Sequence, residues 1–268
     1  MIQFSVLIPQ RDRGDDVRRQ LPELAAALEP FGQPYEIIVV DDGSQSPTLR
    51  LLEKLSKEVH ALRLLRLDEP GGVSAALSVA IQAARGETII ATEAGRCYPA
   101  EQIASLIEWL PRADMIVGRR RRSGVPKLRE RIARIPRWLL LGLESHDPDC
   151  LFWAARREVF QNVSLSAGMA RYLPALVARQ GYRIFETYVE YHGRLQRLQD
   201  VRPNPGDLLA AWWSCRRWRN QQAYELAPVA ESQPALRLVG ADDASATAAA
   251  STLHRIEPVA NTRQAKSA

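Results

Sequence analysis

Short apolar runs alternate along the chain with longer stretches in which apolar residues recur at helical spacing. The clearest run, residues 35–40, is rich in β-branched residues and ends in the carboxylate pair Asp41 and Asp42. Such a run is typical of a parallel strand that is buried on both faces. Gly43 and Ser44 follow as a turn, so the pattern predicts a strand whose carboxyl end opens into a site. An Asp-Gly turn that merely closes a strand has the same sequence, and the segment alone leaves both interpretations open.

The same alternation continues through residue 118 and predicts an α/β fold. Apolar runs predict strands at residues 4–9, 62–67, 87–92 and 114–118, in addition to the strand that begins at residue 35. The stretches between them predict helices at about 15–31, 47–58, 74–85 and 100–110. Regular alternation of this kind predicts parallel strands joined by right-handed crossovers. Their carboxyl ends would share one edge of the sheet, where ligands bind in open α/β sheets.

Composition narrows the class of protein and of partner. The chain has 268 residues, 46% hydrophobic and 25% charged, which suits one large α/β domain with an appendage. Its net charge of +5 favours anionic partners such as nucleotide or lipid phosphates. Three widely spaced cysteines form neither a disulfide framework nor a paired zinc spacing, which predicts a reducing compartment. With no visible signal peptide and no apolar run of membrane-spanning length, we expect a cytoplasmic protein, soluble or peripheral at a membrane.

Six motifs, spread over about residues 3–192, carry a resemblance to a known family. They read Ser-Val-Leu-Ile-Pro at 5–9, Val-Val-Asp-Asp-Gly-Ser at 39–44, Gly-Val-Ser-Ala-Ala-Leu at 72–77, Ile-Val-Gly-Arg at 116–119, Asp-Pro-Asp-Cys-Leu-Phe at 147–152 and Leu-Pro-Ala-Leu at 173–176. In order and spacing they resemble the inverting family 2 glycosyltransferases, and most of all the dolichyl- or undecaprenyl-phosphate sugar transferases. The resemblance implies that residues 1–200 form a GT-A (Rossmann-like) domain, with a mostly parallel central sheet flanked by helices.

The resemblance also implies the ligands and the residues that meet them. The donor would be a nucleotide-diphosphate-sugar, and the acceptor in this branch is a polyprenyl phosphate. The implied nucleotide-binding residues are Pro9, Asp41, Asp42, Ser74 and Glu93. The implied catalytic residues are Arg119 or Arg120 at the diphosphate and Asp147 facing the acceptor. Because the acceptor phosphate is already an anion, the reaction would depend on positioning and on neutralising the leaving group rather than on a base.

The chain departs from the family pattern where a metal ion is expected. The family reads Asp-x-Asp-x-Gln after its fourth strand, and this chain has Glu93, Gly95 and Cys97 at the three positions. Mg²⁺ and Mn²⁺ prefer oxygen ligands, so Glu93 is the remaining candidate ligand and we expect weak metal binding. Two functional classes therefore stay open: an active sugar transferase, and a catalytically impaired GT-A domain that binds a nucleotide, a lipid phosphate or a protein partner.

A dense basic run begins at Arg119 and ends at Arg137. Its basic residues are Arg119 to Arg122, Lys127, Arg129, Arg131, Arg134 and Arg137. A solvated helix face explains such a run. The alternative is that its first arginines neutralise the diphosphate while the later ones, beside the apolar residues 138–141, lie on an anionic membrane surface. No nucleic-acid-binding motif accompanies the charge, so no nucleic-acid partner is predicted.

The C-terminal quarter of the chain is predicted to lie outside the main domain. Residues 201–228 include an apolar run at 208–213 followed by arginines, which predicts an amphipathic helix that either docks on the core or lies at a membrane interface. Residues 229–268 are rich in Ala, Ser, Thr and Gln and almost free of aromatic residues. Their composition predicts a disordered tail.

Overall fold

A seven-stranded sheet organises the part of the chain that the structure describes. The computed structural model describes residues 1–120 except 68 and 96, residue 147, residues 149–192 except 162, 164, 166 and 167, and residues 206, 209 and 212. The strands are β1 (Phe4–Gln10), β2 (Tyr35–Asp41), β3 (Leu62–Arg66), β4 (Thr88–Ala91), β5 (Met115–Arg120), β6 (Trp153–Arg156) and β7 (Ile184–Val189). They lie side by side in the order β3-β2-β1-β4-β6-β5-β7.

The strand directions confirm the predicted, mostly parallel α/β fold. β1 pairs in parallel with β2 and with β4, β2 with β3, and β5 with β7. β6 runs antiparallel to both of its neighbours, β4 and β5. The strands predicted from apolar runs correspond to β1–β5, whereas β6 and β7 go beyond the sequence prediction. Since β6 separates β4 from β5, the first four strands and the last pair form two parallel blocks of one sheet.

Within the described ranges up to residue 192, five helices connect and cover these strands. They are α1 (Gly14–Leu28), α2 (Ser46–Glu58), α3 (Gly72–Ala83), α4 (Gln102–Trp109) and α5 (Leu173–Arg179), with short 3₁₀ turns at Glu29–Phe31, Arg157–Phe160 and Met169–Tyr172. The first predicted helix ends earlier than expected, because Pro30 starts a 3₁₀ turn and Gly32 leaves it with φ of 58°. The other predicted helices lie within a few residues of α2, α3 and α4.

Hydrophobic side chains fill the space on both faces of the sheet. Along β2, Ile38 and Val40 pack on the face covered by α3, whereas Ile37 and Val39 pack on the face covered by α1, α2 and α4. All four are at most 1% exposed. Each fully buried side chain of this size contributes about 1.5–3 kcal/mol. The near-continuous apolar run of β2 is therefore explained by burial on both of its sides.

Pro9 lies in β1, just beyond the residues at which β1 pairs with β4. β1 and β4 pair over Phe4 to Leu7, and the last hydrogen bond between them runs from the Thr92 N–H to the Leu7 carbonyl at 3.0 Å. Residues two apart face the same neighbouring strand, so the backbone nitrogen of Pro9 faces the β4 side just beyond that pairing. A proline, which lacks an N–H, costs no ladder hydrogen bond there. The two strands thus begin to separate at Pro9 and leave room between their following loops.

Glu36 anchors the opposite end of the sheet from the loops that follow the strands. Its buried carboxylate accepts hydrogen bonds from Ser5 Oγ at 2.7 Å, from Arg63 Nη1 at 2.5 Å and from the Arg85 N–H at 2.7 Å. Burial acts to raise the Glu36 pKa, but these hydrogen bonds outweigh it and the net pKa is lowered. One carboxylate therefore joins β1, β2, β3 and the segment that follows α3.

The remaining predicted segments fall largely outside the described residues. These are the basic run beyond Arg120, the helix expected over 201–228 and the tail expected over 229–268. Within the second of them, residues 206, 209 and 212 are helical, and Trp212 packs against the core on the α3 face. None of the described helices is long and apolar enough to cross a membrane.

We predict that Glu36→Gln destabilises the fold without touching the strand-end loops. An amide cannot accept all three hydrogen bonds and carries no charge for Arg63, so the free energy of unfolding should fall by about 1.5–3 kcal/mol at neutral pH. Urea denaturation measures this loss, and Glu53→Gln on the exposed side of α2 is the matched control. An unfolding free energy equal to that of the control would show that the Glu36 network contributes nothing.

Candidate active site

The carboxyl ends of β1, β2, β4 and β5 bring polar residues from four parts of the chain to one edge of the sheet. Gln10, Asp41 and Arg120 are the last residues of their strands, and Glu93 follows β4 by two positions. These four residues are 0–7% exposed. Buried polar residues need partners, so their hydrogen bonds define how the edge is built.

Asp41 and Gln10 form a clamp between the ends of β1 and β2. Gln10 Nε2 donates to Asp41 Oδ1 at 2.5 Å and to Ser44 Oγ at 3.1 Å. The Ser44 N–H lies 3.3 Å from both Asp41 oxygens, and Arg66 Nε lies 3.8 Å from Oδ2. Asp41 is 0% exposed. The structure therefore places this predicted nucleotide-binding residue beneath the turn, where it holds the loop in shape.

Asp42 joins the end of β2 to the start of α3. Its Oδ1 accepts hydrogen bonds from the Gly71 N–H at 2.7 Å and the Gly72 N–H at 3.1 Å. A carboxylate at a helix N-terminus is stabilised by these otherwise unpaired N–H groups and by the helix dipole. Gly43 permits the close approach, since its φ is +75° and a Cβ there would lie 2.7 Å from Pro70 Cγ. Asp42 thus fixes two loops at the predicted nucleotide site, and its role there stays a prediction.

The loop after β1 is held to the loop after β2 in both directions. The Asp12 N–H donates to Ser44 Oγ at 2.8 Å, and the Gln45 N–H donates to Asp12 Oδ1 at 2.8 Å. Asp12 itself has a φ of 54°, in the left-handed region that aspartate tolerates better than most residues. The Arg13 N–H then donates to Gln10 Oε1 at 3.0 Å. These reciprocal bonds give the loop a defined shape before any ligand binds.

Gln20 fixes the loop after β4 from the side of α1. Its Nε2 donates to the Glu93 carbonyl at 3.1 Å, and its Oε1 accepts from the Gly95 N–H at 2.9 Å. The side-chain amide thus pairs with this loop as a neighbouring strand would. The sequence prediction did not include Gln20, because this residue lies inside an amphipathic helix. Its burial, at 3% exposure, distinguishes it from a surface glutamine and is visible only in the structure.

Glu93 lies in a largely buried position between cations and a tyrosine. It is 4% exposed, and Tyr98 Oη donates to its Oε1 at 3.5 Å. Burial raises the Glu93 pKa, while the charges of Arg120 and Arg13 act in the opposite direction and only partly offset it. Glu93 is therefore close enough to both arginines for their charges to act on it.

Arg120 and Asp147 form a buried, two-point ion pair. Arg120 Nε lies 2.6 Å from Asp147 Oδ2 and Nη2 lies 2.8 Å from Oδ1, while the Arg120 N–H donates to Oδ2 at 3.2 Å. Their side chains are 6% and 2% exposed. Burial acts to lower the Arg120 pKa, but the hydrogen bonds and charge of Asp147 prevail and raise it. The structure thus brings together two of the residues for which catalytic roles are predicted.

Arg119 lies on the other face of the sheet from Arg120, as strand alternation requires. Its guanidinium sits 5.0 Å from the ring centroid of Tyr188, whereas that of Arg120 sits 5.2 Å from the ring centroid of Tyr191. Arg119 and Tyr188 are register partners on β5 and β7. The two neighbouring arginines therefore cannot serve the same anion from this strand, and Arg120 is the one beside Glu93.

An aromatic cluster closes the site beneath these charges. Tyr98 stacks on Phe152 with a centroid distance of 4.6 Å and meets Tyr191 at 5.1 Å. Its hydroxyl lies 3.3 Å from Cys150 Sγ. Burial raises the Cys150 pKa to about 12 and also raises that of Cys97, so both thiols stay protonated at neutral pH. The buried aromatic rings give the charged groups surroundings of low dielectric constant, in which the electrostatic interactions between those groups are strong.

Ser74 and Pro9 occupy more structural positions. Ser74 Oγ accepts a hydrogen bond from the Ala170 N–H at 3.1 Å, which ties α3 to the 3₁₀ turn at Met169–Tyr172. Ser74 is 4% exposed. Pro9 is buried within β1. The structure therefore places both near the edge of the sheet but gives each a contact that the fold itself explains.

The residues of the loop after β4 do not fit a divalent metal ion. Gly95 supplies no side chain, and the protonated Cys97 is a soft donor unsuited to Mg²⁺ or Mn²⁺. A Cβ on Gly95 would lie 2.8 Å from Arg13 Nη2, so a guanidinium occupies the space that a second carboxylate would need. Among the described residues, no three His, Cys, Asp or Glu side chains converge as metal ligands do.

The sequence matches the model of a known protein family. The family model described as "Glycosyl transferase family 2" matches residues 5–164. This range runs from the second residue of β1 through β6 and includes the ends of β1, β2, β4 and β5. The match confirms the resemblance found in the six motifs.

The relatives in this family include a sugar transferase of polyprenyl phosphate. Dodecaprenyl-phosphate galacturonate synthase from Rhizobium johnstonii is 30% identical over 207 residues, which cover 72% of this chain and 60% of the relative. The chain therefore spans less than two thirds of that protein's length.

Two solved structures share the fold at low sequence identity. Staphylococcus aureus TarS 1-349 with UDP-GlcNAc has a TM-score of 0.54 and 17% identity, covering 78% of this chain and 64% of that one. The mannosyltransferase PcManGT from Pyrobaculum calidifontis with GDP-Man and Mn²⁺ has a TM-score of 0.53 and 18% identity, covering 81% and 73%. These likenesses confirm the expected GT-A fold.

We predict that Asp147→Ala is strongly destabilising. It would leave the Arg120 guanidinium buried without its carboxylate, and breaking a buried pair in this way costs about 3–5 kcal/mol. Asp149→Ala is the matched control, because its ion pair with Arg171 is 3.7 Å long and the Asp149 side chain is 51% exposed. Chemical denaturation should separate the two variants, and equal unfolding free energies would contradict a buried pair.

We predict opposite pH dependences for Glu93 and Glu36. The Glu93 pKa is raised in the fold, so the stability of the unmodified chain relative to Glu93→Gln should fall as the pH rises from 4.5, the ordinary value, through the raised one. The Glu36 pKa is lowered, so stability relative to Glu36→Gln should be full above 4.5 and fall as the pH drops through the lowered value. Melting temperatures across pH measure both differences. Parallel trends for the two glutamates would show that the fold does not raise the Glu93 pKa.

Proposed function

The chain belongs to glycosyl transferase family 2, and from this premise we propose that it transfers a sugar from a nucleotide-diphosphate-sugar to a polyprenyl phosphate. The observation that carries the proposal is the convergence of four strand ends on one edge, with Asp42, Glu93 and Arg120 on the loops or strand ends there. Ligands of open α/β sheets bind at such an edge. The loops are fixed by side-chain hydrogen bonds, which suits a site that must position two substrates.

The nucleotide half of the site lies beside β1 and β2. The carboxylate oxygens of Asp42 accept hydrogen bonds from the N–H groups of Gly71 and Gly72. A carboxylate has about four acceptor positions in all, so the remaining ones are available to the base or ribose. Asp41 and Pro9 support this position from beneath. One of the two structural neighbours is in complex with a GDP-sugar and the other with a UDP-sugar. The base of the donor for this chain therefore has to be determined by experiment.

The acceptor half of the site lies beside β5 and the Arg120–Asp147 pair. Two of the five guanidinium N–H groups of Arg120 bind Asp147, which leaves others to bind a phosphate. We propose that Asp147 orients Arg120 and is not a general base. The name of the Rhizobium johnstonii relative includes a polyprenyl phosphate. Such an acceptor carries an anionic oxygen that is itself the nucleophile, so the reaction needs no proton acceptor.

A membrane-associated location accompanies this acceptor. A polyprenyl chain resides in a bilayer, so the transferase must approach the membrane surface. We propose that the chain acts as a peripheral protein at the cytoplasmic face, where a basic surface is attracted to anionic lipids. The basic run from Arg119 to Arg137 supports this proposal through its sequence.

A second candidate function is a GT-A domain that binds nucleotide sugar without transferring it. The loop of Glu93, Gly95 and Cys97 favours it, because these residues do not fit the metal ion that the resemblance implies. Incubation with a labelled nucleotide sugar and a polyprenyl phosphate separates the two functions. Labelled lipid product supports the transferase, and bound donor without product supports the binding domain.

We predict that the chain binds a nucleotide-diphosphate-sugar and that Asp42→Ala weakens this binding. Loss of a hydrogen-bonded carboxylate that recognises the base or ribose should cost about 1.5–3 kcal/mol. Calorimetry with UDP- and GDP-sugars measures the affinity. Asp42→Asn is the control, because its amide oxygen can still accept from Gly71 and Gly72 and so keeps the loops in place. A folded Asp42→Ala variant with unchanged affinity for every donor would contradict the assignment.

A further inference from the structure

Arg13 lies where a cation would be needed in the proposed reaction. We propose that its guanidinium neutralises the leaving diphosphate of the donor, in the place that a divalent metal ion would otherwise take. The inference rests on the proposed function, since it names the cation of the same site. In the transfer, the anionic acceptor oxygen forms a bond to the anomeric carbon as the bond from that carbon to the diphosphate oxygen breaks. One negative charge is consumed and one develops on the leaving nucleoside diphosphate, and no proton moves.

The Arg13 side chain fills the space beside Gly95 in the loop after β4. Arg13 Nη2 lies 2.8 Å from the position of a Cβ on Gly95, and Asp16 Cβ lies 3.4 Å from it. Gly95 has a φ of +99°, a conformation that side chains rarely adopt. The backbone of the loop after β4 is therefore shaped to admit the guanidinium, and any residue but glycine would push it away.

Arg13 is held at the strand-end edge by hydrogen bonds to its neighbours in the chain. It follows β1, the strand between β2 and β4, and its N–H is bound to Gln10 Oε1. Its Nε donates to Asp16 Oδ2 at 2.9 Å. The guanidinium also has a hydrogen bond to Cys97, and the remaining N–H donors of its Nη groups suit the oxygens of a diphosphate. The guanidinium is thus oriented by a neighbouring carboxylate before the donor arrives.

Arg66, Arg119 and Arg120 lie at the described ends of β3 and β5, and each is less suited than Arg13 to this role. The Arg120 side chain is 6% exposed and bound twice to Asp147, whereas that of Arg13 is 33% exposed. Arg119 stacks on Tyr188 on the opposite face of the sheet. Arg66 is the last residue of β3, which is separated from β4 by two strands. Arg13 therefore combines nearness to the loop after β4 with an accessible charged group.

The electrostatic surroundings keep Arg13 charged. Burial acts to lower its pKa, but the hydrogen bond and charge of Asp16 outweigh burial and raise it. A fixed cation aimed at the oxygen where charge develops stabilises the transition state as a bound metal ion does. The consequence is a donor site whose affinity depends on the second phosphate of the nucleotide and on Arg13, and which is insensitive to metal chelation.

The experiment measures by calorimetry how the full chain binds nucleoside diphosphates and monophosphates in the presence of EDTA. Arg13→Gln should weaken binding of the diphosphate about ten- to hundred-fold and that of the monophosphate by less than about three-fold. Arg18→Gln is the matched control, because Arg18 lies in the first turns of α1, which Arg13 precedes, and pairs at 2.9 Å with Asp15 three residues away, with its side chain 55% exposed. The control should bind both ligands as the unmodified chain does.

Two further measurements keep the result decisive. Arg13→Lys keeps the charge and its pairing with Asp16 but removes the planar fork, so it should lose about three- to ten-fold in diphosphate affinity and covers the case in which Arg13→Gln does not fold. Adding Mn²⁺ to the unmodified chain should change its diphosphate affinity by less than about three-fold. A ten-fold gain with Mn²⁺ would overturn the inference.

The outcomes separate this inference from the proposed function. If the unmodified chain binds neither uridine nor guanosine diphosphate or their sugars, the proposed function fails and the inference falls with it. If the unmodified chain binds a nucleoside diphosphate and folded Arg13→Gln binds it equally well, the inference alone is overturned. An equal loss for monophosphate and diphosphate also overturns it, because Arg13 would then support the loop rather than the second phosphate.

Discussion

The parallel pairing of β1 with β2 on one side and β4 on the other is the constraint on which the site depends. All seven residues of β1 are buried, so this strand cannot shift without exposing apolar side chains on both faces of the sheet. The pairing brings residues 10–13, 41–45 and 92–95 together although about 80 residues of chain separate the first group from the last. Gln10 and Gln20 then convert this proximity into defined loops, since each bonds across to a neighbouring segment.

The charges at this edge are stabilised by one another rather than by solvent. Glu93, Arg120 and Asp147 are each at most 7% exposed, and the Arg120–Asp147 pair alone would be a costly way to stabilise a fold. Apolar residues of similar volume commonly do as well or better at such positions. Burying these charges together, beside the aromatic cluster of Tyr98, Phe152 and Tyr191, is better explained by the proposed binding of anions. Stability given up at such positions is a common cost of function.

The strands β1–β5 and the shared edge could be predicted because burial on both faces leaves a direct mark on the sequence. β6 could not, since Trp-Ala-Ala-Arg contains no β-branched residue and nothing in it specifies an antiparallel place between β4 and β5. Alternation also separates Arg119 from Arg120 only once both are known to lie within β5. The approach of Arg13 to Gly95 joins two segments about 80 residues apart, and no local pattern predicts it. The family could be recognised from its motifs, whereas the proposed role of Arg13 depends on contacts that only the folded structure shows.

The central claim is that a nucleotide-diphosphate-sugar binds at the strand-end edge with its diphosphate held by Arg13 rather than by a metal ion. Diffraction from crystals soaked with donor and Mn²⁺, with data collected at the manganese absorption edge, tests it most directly. The account predicts density for the donor over the ends of β1, β2 and β4, the β-phosphate within hydrogen-bonding distance of the Arg13 guanidinium, and no anomalous peak at Glu93. An anomalous peak bound by Glu93 and the diphosphate, with Arg13 turned away, would contradict it.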